Sequence, residues 1–186
     1  MKASVYIATS LDGFIARENS DLDWLSGGDS AGTGEDYSAG AGENFGFQEF
    51  LDSIDTLVMG CKTFEVVVAS GQWPYGNKPV VVLSSRPVQI PSRLVETVES
   101  QSADPTELVK KLSERGAKHL YIDGGKTIQG FLNAGLIQRM IITRVPILIG
   151  KGIPLFGPVN KDILLKHLET LSFPNGFVQS KYAVHE

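Results

Sequence analysis

The sequence predicts an α/β fold: a mainly parallel central sheet that ends in an antiparallel hairpin. Three observations carry this. Short apolar runs alternate with amphipathic helical stretches from residue 3 to residue 149, and alternation of that kind builds parallel strands linked by crossover helices on both faces. Two further strand-like runs, 163–173 and 177–184, follow without a helix and are joined by Pro174-Asn175-Gly176, a hairpin turn that adds antiparallel strands. The chain has 186 residues and 42% hydrophobic content, which suits a single domain over residues 1–186 with one sizeable core.

The elements follow in order. Residues 3–10 are apolar or small on both faces, as an interior strand requires. Leu11-Asp12-Gly13 turns the chain, and Phe14-Ile15 resumes the apolar character. Residues 26–46 are rich in glycine, serine and acidic residues. Two readings stay open there: a mobile surface loop, because glycine is costly to order, or a loop that closes over a substrate. Trp24 and Tyr37, read as exposed aromatics, favour the second. Phe47, Phe50 and Leu51 recur at helical spacing and predict a helix over 44–53. Residues 54–59 form a buried strand ended by Gly60, and 62–70 form a helix despite the β-branched Val66-Val67-Val68.

Val80-Val81-Val82-Leu83 is a short apolar strand. Asp104 caps the next helix, with Pro105 in its first turn and Glu107 three residues after the cap, and Gly116 ends it. His119-Leu120-Tyr121-Ile122 is a strand, and the helix after it shows Ile128, Phe131 and Leu132 on one face. Residues 139–149 read as one strand with an irregularity at Pro146.

Charge and composition exclude several classes. Seventeen basic residues against 21 acidic ones give a net charge of -4, unlike the basic stripe of a nucleic-acid binder. No apolar run is long enough for a membrane span or a signal peptide, so a cytoplasmic protein is expected. Cys61 is the sole cysteine, which rules out an internal disulfide. No histidine or other base is arranged beside it in sequence, so it is not read as a nucleophile. His119, His167 and His185 are scattered, and no metal is expected.

Three strand ends carry phosphate-compatible groups. Asp123-Gly124-Gly125-Lys126-Thr127 joins a strand to a helix whose first amides can face an anion. A glycine pair at a junction is also often a plain turn, and neither G-x-G-x-x-G nor a complete G-x-x-x-x-G-K-[ST] is present. Gly60-Cys61-Lys62-Thr63 repeats the arrangement with a hydroxyl and an ammonium, and Ser84-Ser85-Arg86 adds two hydroxyls and a guanidinium. Ligands of open α/β sheets bind at such carboxyl ends.

With these residues in place, five ordered blocks resemble the dihydrofolate reductase superfamily, in particular the branch holding the reductase domain of bacterial riboflavin biosynthesis. They are residues 7–15, 55–65, 82–86, 121–125 and 146–156. The resemblance implies a dihydrofolate reductase-like three-layer fold, a homodimer and NADPH as cofactor. It implies that Ala8 and Ile15 line the nicotinamide and that Gly60, Lys62 and Thr63 serve the pyrophosphate. Ser84, Ser85 and Arg86 would face the adenosine end and its 2′-phosphate. Gly124 and Gly125 would pass close to the pyrophosphate, with Lys126, Thr127 and Ile128 opening the helix that receives it.

Relatives commonly carry arginine where this chain has Cys61, and cysteine cannot grip phosphate bidentately. The carboxylate that holds the pterin in dihydrofolate reductases falls in register near Asn44, with Glu43 adjacent. Asp12 and Glu43 are therefore the candidate catalytic residues, although Asp12 also reads as a turn aspartate bonding its own backbone. The implied reaction is hydride transfer from NADPH to a small heterocycle, a compound like 5-amino-6-(5-phosphoribosylamino)uracil. Dihydrofolate reduction and non-catalytic nucleotide binding are the alternatives.

Overall fold

The structure is a computed structural model that describes residues 1–26 and 45–185. Tyr37, Glu43, Asn44 and nearly all of the expected 26–46 loop lie outside the described residues.

The strands are β1 (Lys2–Ser10), β2 (Phe14–Ala16), β3 (Thr56–Gly60), β4 (Val80–Leu83), β5 (Val98–Gln101), β6 (His119–Asp123), β7 (Arg139–Val145), β8 (Ile153–Pro154), β9 (Leu165–Ser172) and β10 (Val178–Val184). The helices are α1 (Phe47–Asp52), α2 (Cys61–Ala69), α3 (Pro105–Glu114) and α4 (Gly125–Asn133). Eight strands form one sheet in the order β5-β4-β3-β6-β1-β7-β10-β9, and β2 pairs with β8 in a small second sheet. The strands from β5 to β7 run parallel, whereas β10 is antiparallel to both β7 and β9. The expected architecture is the observed one.

Period-two alternation divides the central strands between two cores. Val58, Val81, Leu120 and Ile122 point to the layer that α3 and α4 cover with Leu108, Leu112, Ile128 and Phe131. Leu57, Met59, Val80, Val82 and Tyr121 point to the layer under Phe50, Leu51 and Phe64 of α1 and α2. Because both faces are covered, these strands are apolar throughout rather than alternating. The helix cap at Asp104 is as expected: its carboxylate accepts from Glu107 N at 2.9 Å.

The structure revises several expectations. The strand expected over 139–149 stops at Val145, because Pro146 has no N–H to give a ladder. The helix expected over 44–53 is described from Phe47 to Asp52. Strand β5 has no counterpart in the sequence reading. Trp24 is buried, packed with Val145 and Phe177, and is not an exposed loop aromatic. Phe45 stacks on Phe177 and meets Phe173 edge-on, with centroids at 5.6 and 4.7 Å. The hairpin tip between β9 and β10 thus anchors the chain on both sides of residues 27–44.

Candidate functional site

The chain reverses its direction of travel between β3 and β6. It leaves β3 for β4 through α2 on one face of the sheet, and it leaves β6 for β7 through α4 on the other. Such a switch point opens a crevice at the carboxyl ends of two neighbouring parallel strands, where open α/β sheets bind their ligands. Gly60 and Gly124 are the N-terminal cap positions of α2 and α4. Neither cap makes a side-chain hydrogen bond to its helix, in contrast to Asp104 at α3. The first-turn amides of two helices therefore converge on the crevice without a side-chain acceptor, and their aligned dipoles favour an anion there.

Thr63 and Thr127 lock the two turns together. A Cβ at Gly124 would collide with Thr63 Oγ1, and one at Gly60 would lie 3.1 Å from Thr127 Oγ1. Gly124 also has φ +89°, a conformation that side chains disfavour. A Cβ on Gly125 would stand 3.1 Å from Ile15 Cδ1 and from the Pro154 carbonyl oxygen. The glycine pair is thus required first by protein neighbours: it lets α2, β2 and β8 close around the start of α4.

Of the expected site residues, the structure brings Gly60, Thr63, Gly124, Gly125, Thr127 and Ile15 to one crevice. Lys62 and Lys126 stand exposed in the first turns of α2 and α4. Ala8 is half-buried on β1, beside Thr143 of β7. Ile128 is fully buried and its N–H donates to Gly124 O at 2.9 Å, so it anchors α4 and has neither side chain nor amide left for a ligand. Ser84 Oγ accepts from Arg86 N at 3.1 Å and donates to Arg86 O at 2.7 Å, which shapes the exposed turn carrying Ser85 and Arg86. Arg86 Nη2 donates to Glu65 Oε1 at 3.0 Å and lies 3.9 Å from Cys61 Sγ.

Asp12 sits at the other side of β1. Its Oδ1 accepts from Ser10 Oγ at 2.5 Å and from Ile149 N at 3.3 Å, and its Oδ2 accepts from Gly150 N at 2.8 Å. The Ser10 hydroxyl and these two amides hold its carboxyl below the usual range. Its neighbours are those of a clamp on the turn that follows Pro146.

Asp123 lies at the end of β6 against the crevice, a placement that the sequence pattern does not reveal. Its carboxyl is pushed up to about 6 by burial, while the hydrogen bond from Gly124 N at 2.8 Å acts in the opposite direction. Tyr121 is buried beside it and Tyr75 is buried within the same core; burial raises both phenols. A carboxyl that exchanges its proton near neutrality, at a strand end beside an anion cradle, is a functional candidate. Its only local signal was an acidic residue before a glycine pair.

Among the described residues no three His, Cys, Asp or Glu side chains gather as a metal site, and no helix is long and apolar enough to cross a membrane. The profile of the RibD C-terminal domain matches residues 2–179. The chain belongs to that family. The chain is 35% identical to a structure from Shewanella sp. PV-4 provisionally assigned to riboflavin biosynthesis, with TM-score 0.87 and all of both chains covered. It is 31% identical to YwjB of Bacillus subtilis (strain 168), itself uncharacterised, over 92% of each chain. The fold is also that of an Enterococcus faecalis dihydrofolate reductase complexed with NADP(H), at 16% identity and TM-score 0.65, covering 100% of this chain and 97% of the other.

Proposed function

We propose that this member of the RibD C-terminal domain family is an NADPH-dependent reductase. It would pass hydride to an electron-poor carbon of a small heterocycle or opened sugar, of the 5-amino-6-(5-phosphoribosylamino)uracil type. The observation that carries this reading is the pair of helix N-termini, uncapped by side chains, that meet at the switch point. A dinucleotide pyrophosphate is the anion that suits two such termini in a dehydrogenase-like sheet.

In this reading Thr63, Thr127 and the first amides of α2 and α4 hold the pyrophosphate, with Lys62 and Lys126 adding charge. Ser84, Ser85 and Arg86 receive the adenosine end. Ile15 and Ala8 present an apolar wall to the nicotinamide. The bound cofactor supplies the hydride, and the protein supplies position and electrostatics. Asp123 can hold a proton on Oδ2 while Oδ1 accepts from the Gly124 amide, and in this reading it serves as a proton donor. Asp12 acts as a positioning residue through the 146–150 turn. Glu43, outside the described residues, is retained as a candidate for orienting substrate.

The homodimer is part of the same proposal. All eight residues of β9 are exposed, including Leu165, Leu168 and Leu171. A copy related by a twofold axis would cover them. Titration of NADPH against the fluorescence of Trp24 and Trp73 tests the function. Saturable quenching in the micromolar range supports it, and no binding below millimolar concentration ends it.

A further inference from the structure

Arg86 already has an acidic partner beside the site. It stands just beyond β4, and its closeness to Cys61, the first residue of α2, puts the guanidinium at the flank of any ligand seated on that helix end. Glu65 lies one helical turn after Cys61 on the same side of α2, and its carboxylate already accepts from Arg86 Nη2. Both side chains are more than half exposed, at 61% and 57%, so a ligand can enter between them from solvent.

The two dinucleotides meet this pair differently. A ribose with a free 2′-hydroxyl can donate to the Glu65 carboxylate. A 2′-phosphate is drawn to Arg86 but faces Glu65, a like charge beside the same guanidinium, and must displace it. Attraction and repulsion arise from neighbouring atoms and largely offset each other.

Resting on the reductase reading, we propose that Glu65 is a specificity-determining residue: by occupying Arg86 it makes the site accept both NADH and NADPH, with affinities within about tenfold of each other. Lifting its charge turns Arg86 into a reader of the 2′-phosphate.

Fluorescence titration of the full chain with NADPH and with NADH decides this, using wild type, Glu65→Gln, Arg86→Gln and the double variant at low salt. Thermal melting confirms that each variant is folded. The expected result is a wild-type ratio within about tenfold, about tenfold tighter NADPH binding in Glu65→Gln with NADH changed less than about twofold, and loss of that gain in the double variant. The gain should shrink as salt is raised. A wild-type preference for NADPH beyond about a hundredfold, or an equal effect of Glu65→Gln on both dinucleotides, overturns the inference while leaving the reductase reading intact. Absence of binding by either dinucleotide to wild type removes the reductase reading, and this inference with it.

Discussion

Gly124 and Asp123 adjoin in sequence but answer to different forces. At Gly124 the limit is steric, since a methyl group would meet Thr63 Oγ1 and the backbone is at positive φ. Gly124→Ala should cost roughly 2–4 kcal/mol in urea unfolding and should abolish dinucleotide quenching, because Thr63 must move to admit it. At Asp123 the limit is electrostatic. Burial pushes its folded carboxyl up to about 6, above the ordinary carboxylate range. The folded state therefore binds the proton more tightly than the unfolded one, so the stability this provides is full below about 4 and is lost as pH rises through about 6. Asp123→Asn should then stabilise the protein at pH 8 by roughly 1–3 kcal/mol and have little effect at pH 3.5, as read by paired urea titrations. The same variant should lower turnover across the pH range if the proton is delivered from this atom. Neither property was legible in the sequence beyond the glycine pair itself. The collision at Gly124 comes from a threonine sixty-one positions earlier, and the desolvation of Asp123, half-buried at the end of β6, comes from tertiary packing that no local pattern records.

At the scale of elements, legibility followed the locality of the forces. Helix α3 was readable because its cap, its proline and its terminating glycine all act within the segment. Asp104→Ala should cost about 1 kcal/mol and leave dinucleotide titration unchanged, a contrast that separates general stability from the crevice. Strand β5 was not readable, because only Val98 of its four residues is buried and its ladder partner, β4, supplies the reason for its shape. The expected strand after Arg139 was read too long because Ile147, Leu148 and Ile149 continue the apolar run. In the folded chain Leu148 is exposed and the turn is held from outside by Asp12. Asp12→Ala should loosen that turn. Its expected signature is faster amide exchange at Ile149 and Gly150 with exchange in β7 unchanged; equal protection in variant and wild type would remove the clamp.

Across the whole molecule, burial is uneven in a way that the sequence pattern does not show. Met59, Val82 and Ile122 are closed from solvent on the parallel side, whereas β9 at the opposite edge has every residue exposed. Apolar leucines in β9 predicted a strand, and predicted it rightly, but local pattern cannot say that nothing among the described residues covers them. A protomer of 20.1 kDa should sediment at about twice that mass if a second copy does so, and Leu168→Glu should return it to the monomer. The anchoring of the chain at Trp24 and at Phe45 has a separate consequence. Trp24 packs with Phe177, while Phe45 is held by Phe173 and Phe177 and by the hydrogen bonds its carbonyl accepts from Tyr6 Oη at 2.8 Å and Gln179 Nε2 at 3.0 Å. Phe177 is thus a common rivet for Trp24 and Phe45, and its loss would release both junctions at once while leaving the crevice between β3 and β6 intact.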